Sequence, residues 1–396
     1  MSIETPTRPA GSIADEDYVA RARAIAPVIE AEADLAEAQR EVTRRAVDAI
    51  AEAGLFWMFV PRSLGGGEVS FPTFIRTVEE VTRADGSVGW ITMILALGNR
   101  DASCFLDNGG GLYTDSSMAV IGGFAAPVGT AVEVDGGILA SAKRVPFGSG
   151  STHMTHIILG VRILDEAGEQ VMLPDGHPDI RTGRIPRDQV VFHGNWDVSG
   201  LVATGSYDYE VPEQFIPDSL TTPFGFWTEP GEPIKGHLLD SLAGGGAGHA
   251  GVALGLTRRA LEEVVRITAG KSRQGYPGPV DESQLFLDGL AKNDAAYHAA
   301  REYVLAVYGA AEESAATTGE VSAELAARMR QATTHAHNVA QQVIDFCQLW
   351  GGTQGFKNPS ALGRVVRDFG VAKAHLFVDP ISMTDAAPEI LRGWKR

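Results

Sequence analysis

The chain has 396 residues, enough to bury a large core and to divide into two or three domains. It sets 33 basic side chains against 50 acidic ones, a net charge of −17, and has no Lys/Arg cluster of the kind that neutralises phosphates, so nucleic acid is excluded as a partner. Cys104 and Cys347 stand far apart without CxxC or Cys/His spacing, which excludes a disulfide framework and a zinc site. No stretch approaches the roughly 18 apolar residues of a membrane span. The polar, Pro-rich Met1–Gly11 lacks the apolar core of a signal peptide. The expectation is a protein of the reducing cytoplasm whose first dozen residues are disordered.

Residues 1–117 read as a helical domain. Leu35 to Ala53 carries apolar residues at three- and four-residue steps and predicts one helix ended by Gly54. Pro61 and Gly65-Gly66-Gly67 then make a loop. Residues 118–233 change to period two. Ala131–Ala140 predicts two short strands joined through Asp135-Gly136, Thr155–Ile163 a third, and Tyr207–Val211 another. Residues 234–396 return to helix. Leu325, Met329, Ala332, Ala336, Val339, Val343, Phe346 and Trp350 form one buried seam of a bundle.

Several signals dissolve in context. Gly246-Ala-Gly-His-Ala-Gly251 matches a dinucleotide-binding string, but it follows no strand and opens no βαβ unit. Close helix packing explains its small residues better, with His249 at a substrate pocket or satisfied in the core. His153 and His156 lie in a segment read as strand and would face opposite ways. His335 and His337 diverge on a helix, so no metal is expected. Ser149 lacks the Gly-x-Ser-x-Gly setting of a hydrolytic nucleophile.

Five segments in one order carry a resemblance. They are Ala53–Gly66, Asp85-Gly-Ser-Val-Gly-Trp90, Phe147-Gly-Ser-Gly-Ser-Thr-His153, Arg273-Gln-Gly-Tyr276, and Gln348-Leu-Trp-Gly-Gly-Thr-Gln-Gly355 followed by Arg364-Val-Val-Arg-Asp368. Together they resemble the acyl-CoA dehydrogenase superfamily over about residues 20–376. The fold this implies is mostly α within α+β: an N-terminal helical domain, a middle β-barrel and a C-terminal four-helix bundle. The resemblance implies a flavin, FMN or FAD, held by Phe147, Ser149, Gly150, Ser151 and Trp196 near its ring. Trp196 has an equal reading as a barrel-core aromatic. Arg273 and Tyr276 would serve the phosphate side from a neighbouring subunit of a homotetramer, and Gln348, Gly351, Gly352 and Gly355 would also bind the cofactor. Arg273 suits phosphate through bidentate contacts, and glycines let backbone approach it. Taken alone, the same glycines read as a helix C-cap and turn. Arg364, Arg367 and Asp368 read as an interface rather than an exposed ion-pair network.

A dehydrogenase needs a carboxylate base over its substrate. The two stretches where the superfamily keeps one, Leu242–His249 and Lys373–Pro380, hold no Glu; His375 and Leu376 stand at the second. That pattern is similar to the two-component flavin-dependent monooxygenases of the fold, as are Asp85–Trp90, Phe147–Gly150 and Trp196–Ser206. In that group a separate reductase supplies reduced flavin, oxygen adds at C4a, and the hydroperoxide passes its distal oxygen to a small molecule. The resemblance implies catalytic roles for His375, Ser149 and Asn99, with Trp90 and His249 at the substrate pocket. His375 would hydrogen-bond the peroxide or deprotonate the substrate. Gly148 stands where the group usually has Ser, and Gly98-Asn99-Arg100 where some members have His, with Asn99 as its substitute. An FAD-dependent acyl-CoA dehydrogenase or oxidase with a displaced base, and a flavin-binding or structural protein without chemistry, remain as alternatives.

Overall fold

The computed structural model describes residues 17–114, 116–224 and 238–395. The expected disordered start and the boundary drawn at 233/234 lie outside the described residues. The N-terminal part contains α1 (Asp17–Gln39), α2 (Arg44–Glu52), α3 (Phe71–Ala84) and α4 (Gly86–Phe105). The single helix expected over Leu35–Ala53 is instead two. Arg40 adopts φ 60°, and the Thr43 hydroxyl accepts from Ala46 N at 3.3 Å, starting α2 afresh. Gly54 does end α2, at φ 78°. Trp57 lies in the core just beyond and donates its indole N–H to Ala119 O, tying this part to the strands.

The strands are β1 (Ile121–Val134), β2 (Gly137–Gly148), β3 (His156–Leu164), β4 (Ile180–Pro186), β5 (Val191–Phe192), β6 (Tyr207–Pro217) and β7 (Thr221–Pro223). Among the described residues they form one sheet in the order β5-β6-β2-β1-β3-β4-β7. β1 turns into β2 through Asp135-Gly136 as expected, and pairs parallel with β3. The sheet curls into a barrel-like wall. A Cβ built on Gly183 of β4 would lie 2.6 Å from Ile216 Cδ1 of β6, several strands away in sheet order. His153 sits in a short 3-10 turn, Ser151–His153, and only His156 opens a strand. The opposite-face argument for that pair therefore does not apply.

The bundle is α5 (Ser241–Thr268), α6 (Gln284–Thr318), α7 (Ala323–Gly351), α8 (Ala361–Ala372) and α9 (Ile381–Trp394). Its fourth side is split: α8 packs on α5 and α9 on α7, with a 3-10 turn, Leu376–Val378, between them. Pro380 stands at the start of α9 and cannot supply the N–H that a continuous helix would need. Met329, Ala332, Ala336, Val339, Val343 and Trp350 are buried as expected, with Leu325 and Phe346 partly so. The glycine-rich string is an interior stretch of α5, where Gly245 leaves room for the Phe377 ring and Gly246 for the Tyr308 hydroxyl.

The three parts meet at one buried junction. Asp85 caps α4 by accepting from Val88 N at 3.1 Å. Arg364 of α8 brings its Nε to 3.3 Å from Asp85 and its NH1 to 3.0 Å from both Asp34 and Glu37 of α1. One turn on, Asp368 accepts from Leu201 N at 2.6 Å, in the loop before β6. The Arg364/Arg367/Asp368 run is thus an interface inside the chain. Burial pushes both Asp85 and Asp368 upward; the nearby charge of Asp85 adds to the rise of Asp368, which reaches about 8. Asp85 has the guanidinium and backbone N–H groups, whereas Asp368 Oδ2 has no partner. The proton therefore rests on Asp368.

Unfolded, Asp368 releases its proton near 3.8; folded, near 8. Its contribution to stability is complete below the first value and is lost as pH rises through the second. Asp368→Asn retains the acceptor for Leu201 N and removes the titration. Between pH 6 and 9 the wild-type Tm should fall relative to that of Asp368→Asn. Parallel profiles would show that Asp368 is charged in the fold.

Candidate active site

Three elements bring rings together at the centre of the molecule. Trp90 comes from the start of α4, His249 from α5, and His375 with Phe377 from the turn after α8. The His249 and His375 rings stack at 4.2 Å between centroids. Trp90 meets both edge-on, at 5.0 Å from His249 and 5.8 Å from His375. Phe377 stacks on His375 at 5.2 Å and lies 5.6 Å from His249. His337 of α7 stands behind, 6.1 Å from His249.

The hydrogen bonds fix two tautomers. His375 Nδ1 accepts from Phe377 N at 3.4 Å, so the neutral ring carries its proton on Nε2, a donor the chain does not use. His337 Nδ1 bonds the Thr333 carbonyl at 3.1 Å and must carry the proton, which leaves Nε2 a bare acceptor. His249 is 1% exposed and neither of its nitrogens has a partner. Burial pushes His375 and His337 down to about 4. His249 falls well below its ordinary value, through burial first and its two imidazole neighbours second. No carboxylate contributes to the shift of any of the three. The cluster is a set of imidazoles and aromatic faces whose burial favours the neutral rings.

The β-sheet side supplies a polar turn. Phe147 has φ 63°, is 57% exposed, and lies 6.2 Å from Phe124. Gly150 donates to Thr204 O at 2.8 Å and rests on Ile91 and Leu95 of α4. Ser151 Oγ reaches Gly205 O at 3.4 Å. Ser149 Oγ lies 2.7 Å from Ser206 Oγ, which lies 2.7 Å from Thr204 Oγ1. Thr204 spends its hydrogen on Leu201 O at 2.8 Å. The donors therefore run Ser149 to Ser206 to Thr204, and Ser149 presents only acceptor lone pairs outward. Trp196 belongs to the loop before β6, half-buried, with its indole on Leu201 O; it is not a barrel-core aromatic.

The remaining expected residues gather at the far end of the bundle. Arg273 lies over the rings of Tyr276 and Trp350, at 5.8 and 5.4 Å. Gly352 caps α7 on Gln348 O with φ 61°, Gly351 lies under Leu362, and Gly355 sits against Gln348. Each glycine thus has a packing cause within the chain. From His249 to the end of α5 a helix climbs about 28 Å, so one copy holds these two groups well apart. Among the described residues no group of His, Cys, Asp or Glu is arranged to hold a metal, and no helix is long and apolar enough to cross a membrane.

Comparison with known proteins fits this arrangement. Residues 18–100 match the model of the acyl-CoA dehydrogenase N-terminal domain, and residues 247–380 that of the C-terminal domain. An indole-3-acetate monooxygenase of Pseudomonas putida is 30% identical over 88% of this chain and 87% of its own. The chain belongs to the acyl-CoA dehydrogenase superfamily, in its flavin-dependent monooxygenase branch. The oxygenase subunit HsaA of Rhodococcus jostii, a flavin-dependent monooxygenase, is 24% identical over 91% of this chain and 94% of its own. Among solved structures, XiaF from Streptomyces sp., in complex with FADH2 and glycerol, superposes with a TM-score of 0.84. It is 20% identical, and the match covers 95% of each chain.

In this chain no imidazole comes from the 98–100 stretch of α4. Gly98 packs directly on the Ile121 carbonyl and has no room for a side chain. Asn99 spends its N–H groups on Phe56 O and Leu95 O, at 3.1 and 2.9 Å, and its oxygen accepts from Tyr113. Its position is structural and does not fit the catalytic role expected of it. Arg100 turns to the carbonyls of Leu239 and Asp240. His249 of α5 is the imidazole that stacks on His375. His337, Phe377, Thr204 and Ser206 went unforeseen. Thr204 and Ser206 stand inside the Trp196–Ser206 stretch that resembles the monooxygenases, and that stretch was the one available signal.

Burial disfavours the imidazolium, so the unfolded chain binds these protons more readily than the folded one. Stability should fall as pH drops from 6.5 toward 4. In 15N-detected spectra the rings of His337 and His375 should stay neutral from pH 5 to 8. Titration near 6.5 would show a wet pocket and overturn the description.

Proposed function

We propose that this monooxygenase receives reduced FMN or FADH2 from a separate flavin reductase and inserts oxygen into an aromatic small molecule. The observation that carries the reading is the cluster of Trp90, His249, His375 and Phe377, beside which no carboxylate stands among the described residues. It lacks the base for α-proton abstraction from a thioester, yet supplies flat apolar faces and unused nitrogen donors. The aromatic substrate class also rests on the Pseudomonas putida relative, named for indole-3-acetate. Amine and sulfur centres are compatible with the same pocket. The free thiols of Cys104 and Cys347 suit a reducing cytoplasm.

Phe147, Ser149, Gly150, Ser151 and Trp196 would hold the ring of the flavin. Ser149, fixed as an acceptor, suits the N5–H that only the reduced flavin carries. Bound reduced flavin supplies two electrons to molecular oxygen; one oxygen atom enters the substrate and the other leaves as water. Trp90 and Phe377 would offer apolar ring faces to the substrate. His375 Nε2–H donates to the oxygen being transferred and then to the product oxygen, holding its proton at that atom. His249 steadies the substrate's polar group.

Arg273, Tyr276, Gln348, Gly351, Gly352 and Gly355 would take the phosphates of a flavin whose ring lies in another copy of the chain. The helical span between His249 and the Arg273 end of the bundle supports this reading. Exposed Leu285, Leu349 and Phe356 at that end offer apolar surface for the contact. A homotetramer satisfies each site.

With reduced flavin in oxygenated buffer, His375→Ala should lower product formed per flavin oxidised by about ten- to a hundred-fold, with hydrogen peroxide released instead. Unchanged yield would remove His375 from the chemistry. Arg273→Ala and His375→Ala should each be poorly active alone. Co-assembled from mixed subunits they should regain activity, because some sites then draw both intact residues. Failure of hetero-oligomers to recover would place the whole site within one copy.

A further inference from the structure

The hydroxyls behind Ser149 form a run with an inner and an outer end. Gly148 at the end of β2 pairs with Tyr207 at the start of β6, so the turn at 149–151 lies beside 204–206. Gly150 N on Thr204 O and Ser151 Oγ on Gly205 O hold the two segments together. Exposure rises outward, from 2% at Thr204 through 3% at Ser206 to 7% at Ser149 and 57% at Phe147. Water therefore has least access to the inner hydroxyls, whose hydrogens follow the contacts that the chain provides.

The inner end fixes the direction. Leu201 O can only accept, and it takes the Thr204 amide at 3.1 Å, the Thr204 hydroxyl at 2.8 Å and the Trp196 indole at 3.4 Å. Leu201 is itself held at φ 51°, with its N–H on Asp368 at 2.6 Å, so this carbonyl is anchored to α8. To aim its hydrogen outward, Ser149 must give up Ser206, or the whole run must reverse and strip the Thr204 hydroxyl from Leu201 O. Either change loses one internal hydrogen bond. The two oxidation states of a flavin differ at the atom concerned. N5 of the oxidised ring carries a lone pair and needs a donor; N5 of the reduced ring carries a hydrogen and needs an acceptor.

We propose that Ser206 and Thr204 are positioning residues that make the flavin site select the reduced state, by drawing the Ser149 hydrogen away from the ring. The selection rests on Ser149 facing N5, as in the proposed function, and adds the two residues that decide which oxidation state is accepted. It favours release of a spent, oxidised ring and capture of a reduced one.

The test is anaerobic dialysis of the full-length protein against FMN and against photochemically reduced FMN, with the same pair run for FAD. Wild type should hold the reduced form more tightly. Ser206→Ala and Thr204→Val each release the Ser149 hydrogen. Oxidised flavin should then bind about five- to ten-fold more tightly, the difference one hydrogen bond makes, with affinity for reduced flavin unchanged. Thr204→Ser retains the hydroxyl and should keep the wild-type ratio. Equal weakening of both forms in the first two variants would show a merely structural role and overturn the proposal. So would a wild-type ratio in both while Ser149→Ala weakens reduced flavin, an outcome that leaves Ser149 on the ring. Affinities that Ser149→Ala leaves unchanged for both forms would remove the ring from Ser149, and the proposed placement of the flavin would fall with it.

Discussion

The junction of Asp85, Arg364 and Asp368 sets the geometry of the whole molecule. It joins α1, the start of α4 and α8 through charges that burial makes expensive to separate, and the loop before β6 through a hydrogen bond to Asp368. Gly86 and Gly200 permit it: a side chain at either would collide with Asp368 or with the backbone of Arg367 and Asp368. Trp90 lies one turn beyond Asp85 on α4, and His375 follows Asp368 by two turns. Fixing the two carboxylates therefore fixes where the aromatic and imidazole faces of the pocket meet.

That pocket shows what desolvation does to a site without a counter-charge. Imidazoles usually titrate close to physiological pH. Here three of them are held neutral because each stands among rings rather than beside a carboxylate. A neutral imidazole can donate from one nitrogen without adding charge to an apolar ring nearby. The β-sheet side follows the same economy of protons, since the run from Ser149 to Leu201 O makes one hydroxyl a committed acceptor. Both walls are organised by hydrogen-bond direction more than by charge.

Much of this was legible in the chain order. The period-two stretch at 118–223 and the seam on α7 identify sheet and bundle, because backbone geometry imposes those periods locally. The missing Glu at 242–249 and 373–380 was equally legible, since a residue type is either there or not. The break at Arg40 was not, because apolar spacing continues through it while a single left-handed residue ends α1. Asn99 was drawn into the site by its position after Trp90, but Phe56, Leu95 and Tyr113 claim its amide in the core.

The sequence by itself determined the order of helices, strands and helices, the loss of the dehydrogenase base, and the family these imply. Those depend on local periodicity and on residue identity. Only the tertiary structure decided that His249 rather than an α4 residue stacks on His375, which nitrogens carry protons, and that Arg273 lies a helix length from the pocket. Such facts arise where segments distant in the chain are pressed together. Their hydrogen-bond directions have no counterpart in spacing.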